Sequence, residues 1–237
     1  MAATDATLAD IIAKHGSSSS TTWLEHERYR LWRPSMPVPE STFVPIQGYM
    51  EKGPYIFAWG DPLVSSPAAL PSVARQFVAF AKSQAKRPVW LCISRDLADI
   101  LGEEIGWCAV CCVNEDELDP AHIMAMTSPL AKGKEGQRLV KDLKKNLSKA
   151  EKAGVIILEV LEEWTIDEMR QVDRGIKEWK AGKHGIQIAA TSMQPWLDFE
   201  HRRYWAAKIA GQVMQLSILI GLGNSPTRHI RSLASSF

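Results

Sequence analysis

The sequence has no hydrophobic run long enough to cross a bilayer. Its most apolar stretch, Val213 to Leu222, is broken by Gln215 and Ser217 and falls well short of the roughly 20 residues a spanning helix needs. It has no charged-then-apolar leader; Asp5 and Asp10 stand near the N-terminus instead, so a cytoplasmic location is the default expectation. It has almost no net charge, since 28 Lys and Arg face 27 Asp and Glu for a balance of +1. A nucleic-acid partner would therefore have to be met by a local basic patch, not by the field of the whole molecule. Cysteine is scarce and clustered: of Cys92, Cys108, Cys111 and Cys112, three fall within five residues, which argues against a secreted disulfide framework. Cys108 and Cys111 have zinc-like spacing, but no second Cys or His pair follows, so no metal is expected. Trp107–Val113 reads as a buried strand in which cysteine acts as a small apolar residue.

Motifs that would name a chemistry are also missing. There is no G-x-x-x-x-G-K-[ST], no G-x-G-x-x-G after a strand, no G-x-S-x-G and no H-E-x-x-H. Phosphate-cradling loops, the nucleophile elbow and the zincin helix are thereby excluded. No Gln/Arg-x-x-Gly-x-Gly/Ala turn offers N–H groups to a pyrophosphate, which disfavours an acyl-CoA acetyltransferase.

What is present is the composition of a folded protein: 46% apolar and 23% charged over 237 residues, long enough to bury a sizeable core. Residues 5–15 pattern as a helix stopped by Gly16, and Ser17–Thr22 as a loop. Tyr55–Trp59 is a strand ending at Gly60-Asp61-Pro62, where Asp61 can accept from nearby backbone N–H groups. A helix over 73–86, a strand over 88–94 and a short helix over 97–101 follow. Gly154 closes a long basic helix ahead of a strand over 155–160. Thr165-Ile-Asp-Glu168 is a capping-box sequence; it opens a helix with Ile166, Met169, Val172, Ile176 and Trp179 inward. Pro195–Tyr204 reads as a short helix. Residues 204–209 and 212–222 read as a hairpin turning at Ala210-Gly211. Strands alternating with helices predict an α/β or α+β fold around a mixed sheet.

The segment Lys132–Lys152 carries eight basic and three acidic residues, a local +5. Leu139, Leu143, Leu147 and Ala150 form one helical stripe; Lys141, Lys144, Lys145, Lys149 and Lys152 cover the other side. Such a face suits contact with a phosphate backbone, with steep salt dependence; it equally suits a solvated helix surface. Trp164 and Trp179 could stack on a base, or belong to the core. Among the histidines, His184 and His201 have charged neighbours and are candidates for a general base. Trp23, Trp32 and Trp59 are candidates for either apolar surface contacts or core positions.

In order along the chain stand Ile11-Ile-Ala-Lys-His-Gly-Ser-Ser18, Gly60-Asp-Pro62, Lys134-Glu-Gly-Gln-Arg-Leu-Val-Lys-Asp-Leu-Lys-Lys-Asn146, Ala150-Glu-Lys-Ala-Gly154 and Ile176-Lys-Glu-Trp179. From about Leu8 to Leu222 this ordered set resembles the C-terminal domain of lysyl-phosphatidylglycerol synthases (phosphatidylglycerol lysyltransferases), and more closely their freestanding fungal relatives, the ergosteryl-amino-acid (ergosteryl-glycine) synthases. The resemblance implies tandem acetyltransferase-like (GNAT-like) halves, 1–130 and 131–222, with an irregular tail over 223–237. It implies a transferase that esterifies an amino acid from charged tRNA onto a sterol or phospholipid hydroxyl. Aminoacyl-tRNA is then a co-substrate, no further cofactor is needed, membrane contact is peripheral, and DNA is not a partner. By analogy Lys141, Lys144, Lys145, Asn146 and Lys149 hold the tRNA, and Glu178, Trp179 and His184 border the amino-acid cleft. No catalytic residue is assigned. The sequence departs from the family after the hairpin, and His184-Gly-Ile stands where a Glu-Gly-Phe pattern is usual. The second half therefore reads as incomplete, with an open edge at 212–222. A noncatalytic tRNA-binding or membrane-surface module is the alternative.

Overall fold

The computed structural model describes residues 2–111, 120–127, 134–161, 163–182, 194–220 and 235–236. The chain divides after Glu115 into two compact units.

In the first unit, α1 (Ala2–His15) ends where the Gly16 N–H bonds to the Ile12 carbonyl at 2.7 Å. The Ser/Thr run, expected as a loop, ends in a buried 3-10 turn, Ser20–Leu24. Its polar groups tolerate burial because each finds a partner locally: the hydroxyls of Ser20, Thr21 and Thr22 donate to the carbonyls three residues back, each at 2.8 Å. Strands β1 (Arg30–Trp32), β2 (Gln47–Lys52) and β3 (Tyr55–Trp59) are antiparallel; α2 (Leu70–Ser83) crosses over to β4 (Arg87–Leu91), which lies parallel to β3. α3 (Arg95–Ile105) starts where the Ser94 hydroxyl accepts the Leu97 N–H and stops at the left-handed Gly106. One sheet face packs on α2 and α3 through Ile56, Ala58, Val73, Phe77, Trp90 and Leu97.

The opposite face is organised by Trp23, which is fully buried. Its indole N–H donates to the Trp59 carbonyl at 2.9 Å. The Gln47 amide reaches the Trp59 and Gly60 carbonyls at 3.3 Å each, and the Trp90 indole N–H bonds to the Gly60 carbonyl at 3.2 Å. Trp23, Trp32 and Trp59 are all core residues. Asp61 accepts the Ser94 N–H at 2.9 Å, a partner 33 residues along the chain and not the local turn backbone that the sequence reading expects.

The strand expected over 107–113 is absent from its described part. Residues 107–111 are irregular, Cys108 and Cys111 are exposed, and Val110 is 82% exposed. The Trp107 N–H instead bonds back to the Leu101 carbonyl at 3.1 Å, finishing α3. Apolar composition permits a strand, but a ladder partner decides it, and none of the described strands pairs here. Cys112 and Val113 lie outside the described residues.

The second unit holds α4 (Pro120–Thr127), α5 (Lys134–Lys152), β5 (Val155–Val160), α6 (Ile166–Gly182), β6 (Arg202–Ile209), β7 (Gln212–Ile220) and β8 (Ser235–Ser236). The strands form an antiparallel sheet in the order β5-β6-β7-β8. The hairpin turns at Ala210-Gly211 with φ of 48° and 81°, the positive pair that matches strand twist. The two-residue β8 pairs with Gln215 and Leu216, so the edge expected to be bare is partly covered there; the remainder of 223–237 lies outside the described residues. Pro195–Tyr204 is not a helix. Asp198 takes a left-handed φ of 59°, a single 3-10 turn spans Phe199–His201, and Arg202 already pairs with Ile220. The core comprises Trp164, Val172, Tyr204, Ala206, Val213, Leu216 and Ile218, with Met169 and Ile176 against it. Ile166, expected inward, is 69% exposed because helical geometry turns it off the Met169–Val172–Ile176 stripe.

A Cβ on Gly48 would lie 2.4 Å from the Trp23 ring. Gly48→Ala should therefore cost about 1–3 kcal/mol by overpacking, although alanine ordinarily suits a strand better than glycine. Urea unfolding followed by tryptophan fluorescence measures this; an unchanged or raised midpoint would contradict the packing.

Candidate functional site

Two features of the second unit bear on function. The first is the basic face of α5. Lys141, Lys144, Lys145, Asn146 and Lys149 are all exposed, and among the described residues none of these lysines makes an ion pair. A turn of 3.6 residues brings Lys141, Lys145 and Lys149 onto one face over about 12 Å, with Lys144 at its edge. On the other side Leu143 and Leu147 remain 45% and 52% exposed; the side chain of Leu139 is outside the described set. The helix thus presents a line of unneutralised cations to solvent.

The second is an open cleft of about 440 Å³ between α6 and the β6–β7 hairpin, lined by Asp167, Gln171, Arg174, Gly175, Glu178, Gln212 and Val213. The helix supplies its wall by spacing: residues 171, 174, 175 and 178 recur on one face. Two ties fix α6 against the sheet. The capping box forms as its sequence predicts, with the Thr165 hydroxyl accepting the Glu168 N–H at 3.3 Å and Glu168 Oε2 accepting the Thr165 N–H at 3.1 Å. Glu168 Oε1 accepts from Lys208 on β6. That ammonium, with Thr165, holds the Glu168 carboxyl below the usual carboxylate range. The tie is therefore complete above the ordinary carboxylate pKa and is lost as pH falls through the lowered one. Gln171 makes the second tie, accepting the Val213 N–H at 2.9 Å while its amide donates to Asp167 at 2.7 Å.

Of the residues expected to border an amino-acid cleft, Glu178 lines this open cleft on α6. Trp179, the next residue on the helix, is half-buried and outside the lining; His184 is outside the described residues. His201 bonds through Nδ1 to Asp198 at 2.8 Å within the loop before β6. Trp164 is buried in the core, edge-on to Tyr204 and Trp196 at ring-centroid distances of 5.9 and 5.3 Å. The Tyr204 hydroxyl donates to the Pro195 carbonyl at 2.7 Å, and burial pushes its phenol up to about 12. Asp167, Gln171, Arg174 and Gly175 escaped the sequence reading. The signal that would find them is a polar helical series around an interior glycine. Among the described residues no group of three or more His, Cys, Asp or Glu is placed to hold a metal, and no helix is long and apolar enough to cross a membrane.

Replacing Gln171 with Met keeps the bulk and removes the acceptor. A backbone N–H in a buried residue left unpaired costs about 1–3 kcal/mol, so the Val213 amide should exchange with solvent faster in Gln171→Met. Unchanged exchange at Val213 would show that the hairpin does not depend on this tie.

No family model and no curated protein matches the chain. Solved structures do. L-PGS from Bacillus licheniformis superposes with a TM-score of 0.68 at 13% identity, covering 92% of this chain and 62% of that one. The C-terminal domain of a protein from Agrobacterium fabrum, assigned as a lysylphosphatidylglycerol synthetase, superposes with a TM-score of 0.66 at 16% identity, covering 93% of this chain and 65% of that one. The chain thus spans less than two thirds of either structure. Its fold is the mixed α/β, GNAT-like fold of lysyl-phosphatidylglycerol synthase domains, as the ordered motifs imply.

Proposed function

We propose that this chain is an aminoacyltransferase that moves an amino acid from charged tRNA onto a lipid hydroxyl, on a phospholipid or a sterol. The observation that carries this reading is the fold, shared with L-PGS over 92% of the chain. The α5 lysine face supports it, since a row of cations without acidic partners suits the phosphates of a tRNA acceptor end. The cleft on α6 supports it too, because Glu178 offers a carboxylate to the α-ammonium of the aminoacyl group. The reaction is a transesterification. The lipid hydroxyl adds to the ester carbonyl, its proton passes to a base, and the resulting oxyanion expels the ribose oxygen, which takes up a proton. Ester is exchanged for ester, so no redox cofactor or energy source is required beyond the charged tRNA itself. Contact with the bilayer is peripheral in this reading.

Charge reversal tests the tRNA half of the proposal. Lys144→Glu with Lys145→Glu should weaken tRNA binding at least tenfold and flatten the salt dependence, by roughly 0.7–0.9 in the log–log slope for each phosphate that is no longer neutralised. Both side chains are solvated, so the melting temperature should hold. Binding that is indifferent to salt, or to the two substitutions, would remove α5 from the interface.

A further inference from the structure

We infer that the α6 cleft selects an acidic aminoacyl group, with Glu178 holding the α-ammonium and Arg174 the side-chain carboxylate. The inference rests on the aminoacyltransferase reading and adds to it the class of amino acid. Arg174 and Glu178 lie one helical turn apart, about 6 Å along the axis, on the wall of the same cleft. An Arg and Glu so spaced commonly pair with each other, yet among the described residues neither side chain, both exposed, makes an ion pair or hydrogen bond. The cleft therefore presents one unneutralised cation beside one unneutralised anion. A ligand with an ammonium and a carboxylate a few ångström apart satisfies both, and an aspartyl or glutamyl ester is such a ligand.

A glycine, Gly175, stands on the same wall. It is buried in the interior of α6 and lines the same cleft. Glycine at a helix interior costs about 1 kcal/mol relative to alanine. Other charges in the cleft do not reverse the preference. Asp167 is about 16 Å from Glu178 along the helix, beyond what a lysyl group can bridge with its two ammonium groups, and its carboxylate already accepts from Gln171. A lysyl ester held at Glu178 would bring its second cation toward Arg174.

The α-methyl esters of aspartate, glycine and lysine carry the ammonium and esterified carboxyl of an aminoacyl-tRNA end, and calorimetry on the full chain reads their binding without requiring turnover. Aspartate methyl ester should bind at least tenfold more tightly than lysine methyl ester, with glycine between, the difference expected for one charged hydrogen bond. Arg174→Glu should invert the order, and Glu178→Gln should weaken all three, each at an unchanged melting temperature. Gly175→Leu should weaken binding of all three by placing a side chain into the cleft. Equal binding, tighter lysine binding, an order unmoved by Arg174→Glu, or no binding of any ester would overturn the inference. Selective ester binding in a protein that shows no affinity for tRNA would contradict the aminoacyl-tRNA reading while leaving the selectivity of the cleft intact.

Discussion

Glu168 is the residue on which the second unit's site depends. Oε2 of its carboxylate closes the N-terminus of α6 through Thr165, and Oε1 grips Lys208 on the central strand β6. One side chain therefore sets where the helix begins and how it is held against the sheet. Gln171, one turn on, repeats the tie to the hairpin at Val213. With both ties made, the next turns of α6 carry Arg174, Gly175 and Glu178 along the rim of a cleft whose other wall is the hairpin itself. Local capping chemistry is thus converted into the placement of charge.

The first unit is built around a different constraint. The carbonyls at the end of β3 receive the indole N–H groups of Trp23 and Trp90 and the amide of Gln47. Large apolar rings thereby anchor the sheet from both faces without leaving those acceptors unpaired. Trp23 can sit there only because position 48 has no side chain. This unit gives its aromatic residues to packing, while the second unit leaves its lysines and cleft charges to solvent, and the functional reading accordingly rests on the second.

Much of this was legible in the sequence where the signal was local. The capping box at Thr165, the stop at Gly154, the hairpin turn at Ala210-Gly211 and the alternating strand–helix order all follow from chemistry within a few residues. The illegible parts depend on partners far along the chain. Residues 107–111 have strand composition but no described strand to pair with. The Ser/Thr segment reads as solvated until its hydroxyls are seen to satisfy their own backbone. Pro195–Tyr204 gives way to a strand because Arg202 and Tyr204 find Ile220 and Ile218. Glu178, which lines the α6 cleft, was named through the resemblance alone. Arg174 and Gly175 were not, because a cleft wall is defined by what stands opposite it, here Gln212 and Val213.

The central claim is chemical, and a product assay tests it most directly. Purified chain, lipid vesicles containing phosphatidylglycerol and ergosterol, and total tRNA charged with labelled amino acids are combined, and the organic-extractable fraction is counted. Label should enter lipid in proportion to protein, disappear when the tRNA is deacylated beforehand, and be released by mild base as expected for an ester. Label confined to the aqueous phase, with tRNA bound and the protein folded, would contradict the transferase and leave a binding module in its place.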